Sequence, residues 1–388
     1  MFRYFLPSRW LTPPSDEDRL SGWGKILMVS ALLLYGIGCL FVFEISSAEA
    51  IDSFKPERAH LIVTKQLFFG FLGFLIAFAI YSLDIDRVLN LAPILYWIQL
   101  IALMAVFLPG IGVARNGSHR WLSIGPILLQ PSEFAKITLA LYTLYVTKKD
   151  FSKVDFRFWL KITAVLVLIV IEPDNRTCAI TASVLFAALF FSPIPLGRVL
   201  LPLLVFACIS VSVASQFDYV QKRVQVYINP DLDPHGRGYQ PMQAKIAVGS
   251  GGLYGRGLGH SLQKFSYLPE AQNDYIAAII AEEWGFLGIT AVLSLYATLI
   301  LSAFAMLLAA PNLHLSRLMS LFLYIFSAQI VINLCVVVGL FPSTGLNLPF
   351  VSQGGSSLWA NSIILALILS CDRKRFIAER AQKTHQMY

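Results

Sequence analysis

Four polar stretches in this sequence carry side chains able to do acid–base or charge-stabilising chemistry, and each adjoins a long apolar run. In SYLPEAQNDYIAAIIAEEWGFLG, residues 266–288, Glu270 and Asp274 precede an apolar run, and Glu282 and Glu283 fall inside it. A carboxylate in a first helical turn is favoured by the helix dipole. One held at a boundary between water and apolar surroundings can also take a proton from a hydroxyl. Asp274 satisfies both descriptions.

In NGSHRWLSIGPILLQPSEFAK, residues 116–136, Arg120 precedes a helix opened by Gln130, Pro131 and Ser132. Proline suits a helix start because it lacks the amide hydrogen that would go unpaired there. Glu133 and Lys136 are three residues apart and so can pair on one helix face. Such a pair lowers the cost of burying Lys136, and an ionisable group within an apolar span is also a candidate functional site. Between Tyr227 and Glu270, the run GSGGLYGRGLG at 249–259 supplies glycines for tight turns and close backbone approach. Arg256 and Lys264 lie in or near it, although no phosphate-loop pattern is present. The fourth stretch, GLFPSTGLNLPFVSQGGSS at 339–357, reads as non-helical backbone packed between two spans, and Asn333 just before it as an interhelical hydrogen bond.

The elements that must hold these groups are set by composition. The 388 residues are 56% hydrophobic and only 14% charged, with a mean hydropathy of +0.66, whereas soluble domains carry about 25% charged residues. Lipid is the solvent that suits such a chain, and helices suit lipid because they satisfy their own backbone. The sequence predicts an all-α polytopic membrane protein with ten spans near 24–43, 66–83, 91–109, 132–147, 157–172, 177–194, 197–215, 275–308, 316–340 and 355–371. The run 275–308 is too long for one perpendicular crossing, so it is two spans or one span preceded by an outer helical piece. The cysteines, without CxxC spacing, read as small hydrophobes with no disulfide or metal role.

Charge assigns the faces. Arg3, Arg9 and Arg19, the basic residues of 148–157, and Arg373, Lys374 and Arg375 share one side in a ten-span chain, which the positive-inside rule makes cytoplasmic. Residues 1–22 and 372–388 are then cytoplasmic tails around a membrane domain at 23–371, with no removable signal peptide. The long loop 216–274 falls outside, while inner loops such as 84–90 and 195–199 are short and plain.

Taken together, QPSEFAK at 130–136, IAVGSGGLYGRGLG at 246–259, YLPE and DYI at 267–276, IAEEWG at 280–285 and the 339–357 stretch resemble the SEDS family. This is the FtsW/RodA/SpoVE family of ten-span peptidoglycan glycosyltransferases. The compact GLGHSLQKFSYLPE is similar to the division-type branch. The resemblance covers essentially the whole chain. It implies polymerisation of lipid II at the outer face of the bacterial cytoplasmic membrane, with Asp274 as general base. It also implies substrate binding by Arg120, Glu133, Lys136, Arg256, Lys264, Glu270, Glu282, Ser352 and Gly354. A divalent cation, Mg or Mn, is an implied helper with no ligands assigned. The implied partners are a class B penicillin-binding transpeptidase and membrane proteins of the division or elongation machinery, not nucleic acid. The chain departs from the family pattern at three places: Asn175-Arg176 replaces a Leu-Gly pair, Asn273 a threonine and Gln353 an aromatic residue. A polyprenyl-linked sugar transporter and a non-catalytic scaffold remain the competing readings.

Overall fold

The computed structural model of the protein describes residues 20–52, 57–115, 118–125, 127–149, 154–192, 238–265 and 267–386, with positions 194, 197, 204, 221, 225–229, 232–234 and 236. Its helices are α1 (Gly22–Asp52), α2 (Glu57–Ser82), α3 (Ile85–Asn90), α4 (Ala92–Ala105), α5 (Ser132–Lys149), α6 (Phe156–Ile171) and α7 (Asn175–Phe190). They continue as α8 (Tyr239–Ser250), α9 (Ile276–Leu308), α10 (Leu313–Val337) and α11 (Gly355–Gln386). Five stretches, at 22–51, 60–82, 276–308, 313–337 and 355–377, are long and apolar enough to cross a membrane. The helices α4 and α7 are apolar but shorter. Each predicted apolar run falls on a helix except 197–215, which lies almost wholly outside the described residues.

Short polar side chains set several helix starts. Asp155 accepts from the Phe158 amide at 2.9 Å, and Asn312 accepts from the Leu315 amide at 2.8 Å, each satisfying an amide that a helix start leaves without an internal partner. Helix α5 opens directly after Pro131, as the residue order predicts. One core joins α1, α3, α5, α9, α10 and α11 through residues such as Leu27, Phe41, Ile276, Phe322 and Ile364. A second joins α4 to α7 through Leu103, Leu139, Val165 and Leu185.

The bundle has two distinct polar ends. At one, Lys148 of α5 reaches the Asp86 carboxylate at 2.8 Å and Lys374 of α11 pairs with the same group. Ser21, just before α1, donates to Asp372, and Arg375 pairs with Asp372 at 2.8 Å. The segment 84–90 is therefore not plain: it folds as α3 and is an ionic hub. Most of 195–199 lies outside the described residues.

At the other end, β1 (Gly112–Arg115), β2 (Ser118–Ile124) and β3 (Ile127–Leu129) form an antiparallel sheet in the order β1-β2-β3. Leu122 sits opposite both Gly112 and Leu129. This region reads as a loop from hydropathy alone. Its hairpin signal is the Gly125-Pro126 pair between two short apolar segments.

The long run 276–308 is one helix with a break at Gly285, whose backbone is left-handed at φ 65° and ψ −163°. The residues after Gly285 suffice for one crossing, at about 35 Å. The glycine-rich loop mends the break. Phe286 and Leu287 donate to the carbonyls of Gly252 and Leu253, at 2.9 and 3.2 Å. Arg256 and Gly257 in turn donate to the carbonyls of Glu282 and Glu283, at 2.9 and 3.0 Å. A side chain at Gly285 would run into the Gly255 backbone, so both glycines serve this close approach.

Candidate active site

Asp274 lies half-buried just before α9. Its amide and that of Asn273 both donate to the Glu270 carbonyl, at 3.3 and 3.0 Å, which makes 270–274 a tight turn. The side-chain amide of Asn333 donates to the Asp274 carbonyl at 3.0 Å and to the Leu346 carbonyl at 2.6 Å. Gln353 donates from its amide to the Gln272 carbonyl at 2.9 Å. The irregular segment 342–354 is thus bonded to the turn carrying Asp274. It is packed as well, with Leu346, Leu348, Phe350 and Val351 buried.

Gly345, at φ 75°, lets a guanidinium approach this carboxylate. A side chain there would strike the Arg176 guanidinium, and its first carbon would lie 3.0 Å from Asp274 Oδ2. Arg176 donates to the Gly345 carbonyl and, through Nε, to Asp174 Oδ1 at 3.3 Å. Asp174 is fully buried and also accepts from Gln130 Nε2 at 2.8 Å and Ser132 Oγ at 2.9 Å. Burial raises its carboxyl pKa, but Arg176 and Arg120 outweigh that effect and hold it below the usual aspartate value.

Arg120 donates to the carbonyls of Glu172, at 3.0 Å through Nε, and Pro173. Glu172, in the turn between α6 and α7 and outside both helices, is fully buried with neither carboxylate oxygen hydrogen-bonded.

Beneath this cluster the predicted Glu133–Lys136 pair forms at 2.8 Å, with Lys136 only 1% exposed. Lys136 also donates to Gln329 Oε1 at 2.9 Å, and Gln329 donates to Asn361 Oδ1 at 3.3 Å. Helices α5, α10 and α11 are tied together by this chain of polar groups.

Arg256, Lys264 and Glu282 belong to a different cluster. Lys264 Nζ lies 2.7 Å from Glu283 Oε1 and 3.7 Å from Glu44 Oε2, and Arg256 Nε lies 3.6 Å from Glu282 Oε1. The loop amides of Gly259 and Ser261 donate to Glu283, and those of Leu262 and Gln263 to Glu282. The glycine-rich loop thus turns these amides and cations onto the protein's own carboxylates. Glu270 is exposed and accepts from the Asn273 side chain. Ser352 is buried and accepts from the Leu348 amide at 2.9 Å. Gly354 leaves room for the Asn347 side-chain amide.

Of the residues predicted from sequence, the structure groups Asp274, Arg120, Glu133 and Lys136. The sequence alone gives no role to Asp174, Gln329 or Glu283, and marks Arg176 only as a departure from the family pattern. Pro173-Asp174 directly before a helix was a usable capping signal. Among the described residues no group of three or more His, Cys, Asp or Glu could hold a metal ion. Arg176 already places a cation beside Asp274.

The sequence from 25 to 376 matches the family model for FtsW, RodA and SpoVE, described as cell cycle protein. Stage V sporulation protein E of Bacillus subtilis is 33% identical, over 90% of this chain and 96% of that one. A probable peptidoglycan glycosyltransferase FtsW of Aromatoleum aromaticum is 35% identical, over 93% of this chain and 90% of its own length. Among solved structures, a chain of a peptidoglycan synthase complex that coordinates polymerisation and crosslinking superimposes with a TM-score of 0.72 at 27% identity, covering 90% of this chain and 97% of that one. The rod shape determining protein RodA of Thermus thermophilus gives 0.63 at 27% identity, over 90% and 96% of the two chains. By sequence along nearly its whole length, and by fold, the chain belongs to the FtsW/RodA/SpoVE family.

Proposed function

We propose that this protein is a peptidoglycan glycosyltransferase that polymerises lipid II at the outer face of the cytoplasmic membrane. The observation that carries this reading is the half-buried Asp274 carboxylate beside the Arg176 guanidinium, at the end of the bundle opposite the Asp86–Lys148–Lys374 hub. A sugar hydroxyl of the acceptor attacks the anomeric carbon of the growing lipid-linked glycan. Its proton passes to Asp274, the bond from anomeric carbon to phosphate oxygen breaks, and the pyrophosphate leaves with the electron pair. A positioned base is worth about 100- to 10,000-fold in such a step, and fixed cations stabilise the charge that develops on the leaving group. Arg120 is the predicted cation that shares the Asp174 cluster with Arg176. Lys136 sets the charge beneath it, whereas Arg256 and Lys264 shape the loop that supports α9.

In this reading the chain has ten spans, both termini are cytoplasmic, and the 216–274 loop is extracytoplasmic. The partner is a class B penicillin-binding transpeptidase, consistent with the synthase complex that contains the structural relative. The two FtsW and SpoVE relatives and the compact 257–270 loop favour a role in division or sporulation over elongation. The test is reconstitution with labelled lipid II and a cognate transpeptidase in the presence of penicillin. Glycan strands are expected, and they should disappear with Asp274→Ala. Movement of lipid II between leaflets without polymer would instead favour the transporter.

A further inference from the structure

Two observations converge on Arg176. Its guanidinium is held on two sides, by Asp174 and by the Gly345 carbonyl, yet the side chain keeps 21% of its surface exposed. Asp174 pairs with it directly, and Asp274 Oδ2 and the guanidinium lie on either side of the space that a side chain at Gly345 would fill. A dication added to this cluster would face repulsion from the guanidinium at close range. Without Arg176 it carries an unmatched negative charge beside Asp274, the condition that draws a cation in.

We propose that Arg176 is the resident cation of this active site, facing the departing pyrophosphate in place of a divalent metal ion, so that polymerisation by this protein is metal-independent. The inference rests on the glycosyltransferase reading above. Arginine suits the role because its planar fork donates two parallel hydrogen bonds to phosphate oxygens and stays charged at any working pH.

The experiment compares wild type, Arg176→Gln, Arg176→Gly and Arg176→Lys, each reconstituted with the transpeptidase. Lipid II turnover is measured in EDTA and with added Mn²⁺, and Mn²⁺ binding is followed separately by electron paramagnetic resonance. Wild type should lose less than about twofold in EDTA and bind no Mn²⁺ that Asp274→Asn abolishes. Arg176→Gln and Arg176→Gly should fall by roughly 10- to 100-fold in EDTA, an effect of the size expected for one charge-stabilising donor. They should recover with Mn²⁺ and acquire an Mn²⁺ site that requires Asp274, while Arg176→Lys stays closest to wild type. Wild-type turnover that collapses in EDTA and returns with Mn²⁺ overturns the proposal, even if the variants do not fold. So does an Asp274-dependent Mn²⁺ site already present in wild type. Should wild type make no glycan under any condition, the glycosyltransferase reading falls, and the binding comparison still decides whether Arg176 excludes the cation.

Discussion

Asn333 holds the main chain of Asp274 from the side, its amide donating 3.0 Å to the Asp274 carbonyl while a second bond of 2.6 Å takes the Leu346 carbonyl. One side chain on α10 therefore sets the spacing between the turn that carries the acid and the irregular segment that faces it. Replacing Asn333 with alanine should lower kcat by about 10- to 100-fold with little change in KM, because misplacing a reacting group by about 1 Å costs on that order. Steady-state kinetics on lipid II would show it. A change in KM alone would mean that Asn333 does not position Asp274.

Asp274→Asn keeps the shape and removes the basicity. Turnover should drop about 100- to 10,000-fold, with the melting temperature of the purified protein near that of wild type. Equal turnover by the two proteins would eliminate Asp274 as the base.

Lys136→Met strands Glu133 in a nearly sealed interior. Removing one member of a buried pair typically costs about 3–5 kcal/mol, so a clear fall in Tm is expected. Glu133→Gln in the same protein should restore most of it, because no unmatched charge then remains. A double variant no more stable than Lys136→Met would show that the pair is not the unit that matters.

Much of this was legible beforehand. The Glu133–Lys136 pair follows from spacing on one helix, and the start of α5 follows from Pro131. The apolar runs mark the helices because lipid leaves few alternatives for the backbone. What stayed hidden depends on which distant segments meet. Arg256 and Lys264 read as open cations because nothing local shows that Glu282 and Glu283 will turn to face them across the break at Gly285. Arg176 carries no role in the sequence because, apart from the nearby Asp174, its surroundings come from the 342–354 segment and the 270–274 turn. Among the described residues the strands at 112–129 were the clearest miss: hydropathy weighed the region as a loop, and the Gly125-Pro126 turn signal went unused.

Gly285→Ala places a methyl group against the Gly255 amide in a backbone conformation that alanine rarely adopts. The loop should detach from α9 and expose the bond after Arg256, so limited trypsin digestion should cut there several-fold faster. Cleavage at the wild-type rate would show that the splice tolerates the added carbon.

Asp86 governs the opposite end. Burial raises its pKa, but Lys148 and Lys374 override that and bring it down to about 2 from an ordinary 3.8. A carboxyl lowered on folding stabilises the native state above its unfolded pKa, and that stabilisation is lost as pH falls from about 4 toward 2. Wild type should lose Tm across this window more steeply than Asp86→Asn, with a smaller difference in high salt. Identical acid profiles for the two proteins would contradict the assignment.

The repair of α9 by residues 252–257 also constrains biogenesis. Two main-chain donors and two acceptors of this helix have partners only in a segment that leaves the ribosome before it. The helix can therefore enter its final environment with the groups at its break matched as soon as it emerges, provided the preceding stretch has already reached the same side. Cutting or reordering that stretch would leave a lipid-facing rod with an open seam, so the two pieces must mature as one unit.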